Sequence, residues 1–129
     1  MVRDYDESAI PTVHNLQDAP AYREGEGITQ TVFRGIDRML GFSVIDPDKP
    51  DAEPHDHPYE QLNVLLEGEL DFIVGDEQVS LERYDTIVIP PEVEHTSRAV
   101  SDEPAVLLAV WPLREDRLSG TEYQTEFRI

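Results

Sequence analysis

A chain of 129 residues, 39% of them hydrophobic, is of ordinary size for one domain and can close a core without staples. It has no cysteine, which excludes disulfides and thiolate metal sites, so any metal must be held by imidazole, carboxylate or amide. Its formal net charge of −18, from 28 acidic against 10 basic residues, repels nucleic acid and anionic membrane and argues against both as partners.

Residues 1–27 are polar and poorly periodic, with Pro11, Pro20, Gly25 and Gly27 as breakers. They read as an N-terminal arm or short leading strands rather than a separate domain. The first residues are acidic and hold no apolar signal core, and no run reaches the about 18 apolar residues of a membrane span, so the cytoplasm is the expected compartment. From residue 28 the pattern changes, and residues 28–129 are expected to form one barrel with a C-terminal tail. Residues 28–33 and 39–45 read as strands around a turn at 34–37. The run Asp46-Pro47-Asp48-Lys49-Pro50-Asp51-Ala52-Glu53-Pro54 is built of turn formers and reads as a loop.

Strand signals then recur at 61–66, 70–74, 79–81, 86–89, 95–100 and 105–111, punctuated by Gly68, Gly75, the Tyr84-Asp85 corner and Pro90-Pro91. Short strands joined by Gly, Pro and Asp turns, with no sustained helical period, predict an all-β antiparallel barrel or jelly roll. The charged tail from Arg114 has room for one helical turn before a last strand near 123–127.

Three of the four histidines flank strand starts. His55-Asp56-His57 places two imidazoles at i and i+2, on one face of an extended segment, and Gln61 has the same parity. His95 opens a later strand, after the proline pair. If the two segments are neighbours, His55, His57, Gln61 and His95 make a three-nitrogen, one-oxygen site for one divalent metal ion. Imidazole and amide suit Fe, Ni, Zn or Mn, and open positions would remain for water or substrate. Glu60, of opposite parity, is the rival to Gln61 as fourth ligand. His14 lies in the arm without a partner in register and reads as an ordinary polar residue.

These residues resemble a known family. His55-Asp56-His57-Pro58-Tyr59-Glu60-Gln61, then six residues and Gly68, resembles the first cupin motif, and Pro90-Pro91-Glu92-Val93-Glu94-His95 resembles the second. The resemblance implies the cupin jelly-roll barrel over most of residues 28–111. The chain departs from the pattern at several points. Gln61 replaces the usual acidic ligand, and Lys49 stands where the first motif opens with glycine. Tyr84 and Glu92 replace glycines of the second motif, and Ala99 its closing asparagine. The glycine losses are expected to need only modest backbone adjustment.

The His-Pro-x-Glu-Gln pattern at 57–61, with Trp111-Pro112-Leu113-Arg114-Glu115-Asp116 after the last barrel strand, is similar to the small cupins of pectin and alginate degradation. Those proteins use glutamine as a metal ligand and convert Δ4,5-unsaturated uronates to open-chain keto sugars. The resemblance implies that Arg114 reaches into the barrel mouth and grips the carboxylate of a small anionic substrate, a task suited to guanidinium. The alternative for Arg114 is a surface ion pair with Glu115, Asp116 or a neighbouring chain. Tyr59, Asn63 and Tyr84 are candidate wall residues, of which only Asn63 shares the ligands' parity. Leu108 stands where those proteins place an acidic residue.

Three functions therefore stay open: a sugar-acid isomerase, a metal-dependent dioxygenase, and a non-catalytic ligand-binding cupin. A homodimer pairing its arms across a two-fold is the expected assembly. The acidic, nearly lysine-free composition is similar to that of proteins from salt-loving archaea, in which salt screens the self-repulsion; an ordinary acidic protein is the alternative.

Overall fold

Apolar and polar residues alternating at period two fold this chain into strands whose inner faces meet. A computed structural model describes residues 15–18, 22–35 and 37–113. Among the described residues a turn of 3₁₀ helix at Leu16–Asp18 is followed by nine strands: β1 (Tyr22–Gly25), β2 (Ile28–Arg34), β3 (Arg38–Ile45), β4 (Gln61–Glu67), β5 (Leu70–Val74), β6 (Glu77–Leu81), β7 (Thr86–Ile89), β8 (His95–Ala99) and β9 (Ala105–Pro112). They form a six-stranded sheet, in the order β1-β2-β3-β9-β4-β7, and a three-stranded sheet, β6-β5-β8. All the pairings are antiparallel. The fold is an all-β jelly roll, as expected. Among the described residues no helix is long and apolar enough to cross a membrane. His14, Arg114 and the strand expected near 123–127 lie outside the described residues.

β9 explains the sheet's order. Its sequence, AVLLAVWP, is apolar on both faces, as suits a strand hydrogen-bonded on both sides, here by β3 and β4. Ala105, Leu107, Ala109 and Trp111 are buried, whereas Val106, Leu108 and Val110 alternate with them and are half-buried. The core forms two clusters. Ile45, Leu65, Leu70, Phe72, Leu81, Ile89, Ala105 and Leu107 join the two sheets; Val32, Met39, Ala109 and Trp111 pack on the larger sheet. Leu65, Leu70 and Ile89 are wholly buried, each contributing about 1.5–3 kcal/mol of transfer free energy.

Two turns correct the expectation of a backbone adjusted to its lost glycines. Tyr84 and Glu92 keep the left-handed conformation, with φ of 73° and 65°. That conformation costs an L-residue about 1–2 kcal/mol. Surrounding bonds hold it: Tyr84 N–H donates to the Leu65 carbonyl (2.7 Å), Glu92 N–H donates to the His57 carbonyl (2.7 Å), and Asp85 Oδ2 accepts from Glu82 N–H (2.8 Å). The turn at Glu92 thus docks directly against the segment that carries the histidines.

Candidate metal centre

His55 and His95 face each other in an isolated antiparallel bridge, each backbone N–H donating to the other's carbonyl at 3.1 and 2.9 Å. Directly opposed residues project to one face, and the two rings lie 4.5 Å apart between centroids. The ring of His57 lies 4.7 Å from that of His95 and 5.8 Å from that of His55. One ligand nitrogen from each of the three falls within 4.8 Å of the others, so the group could hold a metal ion. Two distant stretches of chain meet as their spacing suggested.

The hydrogen bonds behind the rings set their tautomers. Nδ1 of His95 lies 2.9 Å from the Val93 carbonyl, and Nδ1 of His57 lies 3.0 Å from the Tyr59 carbonyl. A carbonyl can only accept, so both Nδ1 atoms carry hydrogen, and in the neutral ring Nε2 holds the lone pair. Nε2 of His95 is buried and has no partner among the described residues. Burial, opposed by the Val93 carbonyl, lowers the pKa of this ring below its ordinary 6.5, and nearby His57 lowers it further. Its neutral, metal-binding form is thereby favoured.

Gln61 Oε1 lies 3.0 Å from Nε2 of His57, and its Nε2 donates to Asn63 Oδ1 at 3.0 Å, which aims the oxygen at the ring. With Nδ1 protonated, Nε2 of His57 and the Gln61 oxygen turn lone pairs toward each other, an arrangement that a cation between them would relieve. Two ligands about 2.1 Å from one ion stand about 3.0 to 3.4 Å apart, so this spacing is at the short end for a shared metal. Backbone carbonyls on the far ring nitrogens are the usual support of metal-bound imidazole. Glu60 is exposed and does not line the cavity, whereas Gln61 does. Residues 56–60 are not a strand, so strand parity does not carry Gln61 to the histidines. A bend at Pro58-Tyr59, where proline offers no ladder N–H, brings it there instead.

The cavity in front of these groups measures about 380 Å³. Of the three candidate wall residues, Tyr59 lines it, stacked on His57 at 4.0 Å between ring centroids. Asn63 is 1% exposed and sits behind Gln61, orienting the amide, because shared parity put it under the ligand rather than beside it. Tyr84 is 66% exposed and outside the cavity, with Arg83 over its ring. β9 presents Leu107, Ala109 and Trp111 to the cavity; Leu108, of opposite parity, pairs with Phe42 and Val64 on the other face. The acidic lining residues are Glu53 and Asp56, both exposed at the mouth.

Lys49, Gln30 and Trp111 also line the cavity, although the sequence marked none of them as a site residue. Lys49 carried a signal, as the sole lysine in so acidic a chain, and Trp111 carried one in its parity with Ala109. Gly41 makes room for the tryptophan, since a Cβ there would stand 2.5 Å from its indole and 3.0 Å from Gln30 Nε2.

Comparison with known proteins follows the same lines. A comparison with curated proteins finds no match. Among solved structures the chain is similar to an RmlC-like cupin from Shewanella frigidimarina (22% identity, TM-score 0.67, 78% of this chain and 90% of that one). KdgF from Halomonas sp. is similar at 20% identity and TM-score 0.68, over 78% of this chain and 93% of that one. At such identities the likeness is one of fold. AerE from Microcystis aeruginosa matches at 25% identity and TM-score 0.67, over 74% of this chain and 46% of that one. The model of the cupin domain, Cupin_2, matches residues 41–111, more than half of this 129-residue chain and the stretch that carries both histidine segments, and the chain therefore belongs to the Cupin_2 family.

Proposed function

We propose that the chain is a metal-dependent enzyme that opens the ring of a small sugar acid, such as a Δ4,5-unsaturated uronate, to a keto sugar. The observation that carries the reading is the orphaned Nε2 of His95, buried at the edge of a cavity that also receives His55, His57 and the Gln61 oxygen. These four residues would hold one divalent ion, Fe, Ni, Zn or Mn, and the bound ion would supply Lewis-acid polarisation of a sugar oxygen.

The chain's own residues set the rest. Tyr59, stacked on His57, walls the ligand on one side, and Leu107, Ala109 and Trp111 form an apolar floor that keeps water out. The cavity is at the small end of the range for ligand sites and suits one sugar ring rather than a polymer. Ring opening conserves the substrate's atoms: one hydroxyl loses a proton, the ring C–O bond breaks, and the enol carbon gains a proton. β9 carries no carboxylate for that transfer, and among the described residues Tyr59, or Glu53 or Asp56 at the mouth, would take it. The resemblance in the tail supports Arg114 as a further grip on the substrate carboxylate.

The test is to mix metal-loaded protein with an unsaturated uronate and follow the enol-ether absorbance. Its loss supports the isomerase; oxygen uptake without it would favour a dioxygenase, and ligand-induced stabilisation without turnover a binding protein. The same proposal includes a homodimer and a salt-adapted surface.

A further inference from the structure

Lys49 is the only lysine in the chain, and it is 8% exposed in a loop between β3 and β4. Its Nζ donates to the carbonyls of Pro50 and Ser97, both at 3.0 Å. These bonds use two of the ammonium's three N–H groups, and among the described residues no carboxylate is in ion-pair contact with it. Its neighbour Asp51 is engaged by Arg98 instead, at 3.2 Å. A buried ammonium with no partner carboxylate is costly, the more notable in a chain of net charge −18. Burial pushes its pKa below the ordinary 10.5, while Asp51 pulls the other way.

The loop is built to hold this side chain close. Gly27, with φ of +81°, lies so near that a Cβ would stand 2.8 Å from the Lys49 Cα. Lys49 lines the cavity of the three histidines. Its anchor, Ser97, is two residues from His95 on β8, about 7 Å along the strand. Two further polar atoms in the same cavity wall are buried without partners among the described residues: Gln30 Oε1, an acceptor, and Trp111 Nε1, a donor. Gln30 Nε2 donates to Ser43 Oγ at 3.0 Å, which fixes the amide.

From these groups we infer that Lys49 forms an anion-binding subsite of the cavity for a small hydroxylated carboxylate, the carboxylate resting on the Lys49 ammonium with Gln30 and Trp111 in the wall beside it. The subsite rests on the sugar-acid reading for its choice of ligand, and not on turnover. It places an anion grip inside the barrel, on a residue that the family pattern reserves for glycine.

Trp111 is the chain's only tryptophan, so its fluorescence reports occupancy of the cavity. The experiment titrates the full chain, with and without metal, with D-galacturonate and with neutral D-galactose. Wild type is expected to bind galacturonate more tightly than galactose in both forms. Lys49→Gln should weaken galacturonate about ten- to hundredfold, the usual worth of a charge-assisted bond, and leave galactose unchanged. Lys49→Arg should keep the preference for the anion. A merely structural tether would lower thermal stability in Lys49→Gln and leave the ratio of the two affinities intact, which would overturn the proposal. So would equal affinity for both sugars in wild type, a result that needs no variant to fold. Failure of the isomerase reading looks different: no loss of enol-ether absorbance, with the Lys49-dependent preference still present.

Discussion

Leu62 of β4 stands directly across from Val88 of β7, and both are open to solvent, at 40% and 51%. They end a row that runs Leu40, Val110, Leu62, Val88 across four strands, beside a second row of Phe42, Leu108 and Val64. A sheet with one wet face normally turns polar residues outward. This one turns aliphatic and aromatic residues outward, the face on which a second copy would pack. Light scattering should give twice the chain mass for wild type and one chain mass for a Leu62→Lys, Val88→Lys double variant; a monomeric wild type would sink the dimer.

Gln61 depends on Asn63 for its aim. With Asn63→Leu the amide loses the acceptor that turns its oxygen toward His57, and metal affinity should fall about ten- to hundredfold while the fold survives. Wild type is expected to hold one equivalent of divalent ion by elemental analysis, and His57→Ala or His95→Ala to lose it. Metal equal to wild type in both histidine variants would refute the centre.

Acid should weaken the protein through His95. Its folded pKa is held below 6.5, chiefly by burial. As the pH falls through about 6.5 the unfolded ring takes a proton and the folded ring does not, so the unfolded state binds more protons and stability drops. The loss continues down to the folded pKa and then levels off. Bound metal adds a loss of the same sign, because protons compete for the ligands. Urea midpoints of metal-free protein at pH 7.5 and pH 5.5 should differ more for wild type than for His95→Gln.

The left-handed turn at Glu92 offers a stabilising substitution. Glu92→Gly removes a cost of about 1–2 kcal/mol and adds about 0.5–1 kcal/mol of unfolded-chain entropy, for a net gain of up to about 1.5 kcal/mol. The backbone bond to the His57 carbonyl remains, so metal content should not change. Chemical denaturation measures the gain, and an unchanged midpoint would mean that the conformation carries no strain.

Salt should stabilise the chain. At 1 M the screening length is about 3 Å, short enough to quench repulsion among exposed carboxylates. If the surface is salt-adapted, the melting temperature should climb steadily with potassium chloride into the molar range. A plateau near 0.2 M would identify an ordinary acidic protein.

Strand positions are legible in the residues because each depends on local alternation and on turn formers such as Pro90-Pro91. The histidine spacing is legible for the same reason: His55 and His57 share a face at i and i+2, and His95 opens a strand. Much else is decided by neighbours distant in sequence. Leu108 reads as a missing acid, but which β9 residues face the cavity is not local: they are Leu107, Ala109 and Trp111, none of them acidic either. Tyr84 and Glu92 read as altered turns, yet tertiary hydrogen bonds keep them in a glycine's conformation.

By itself, then, the order of residues determined an all-β barrel and the amino acids able to bind metal, because periodicity and chemical type are local properties. Only the tertiary structure decided that Tyr59 rather than Asn63 walls the cavity, and that the sole lysine is buried in it. Which groups lose water together depends on how the two sheets close, and no single stretch of chain records that.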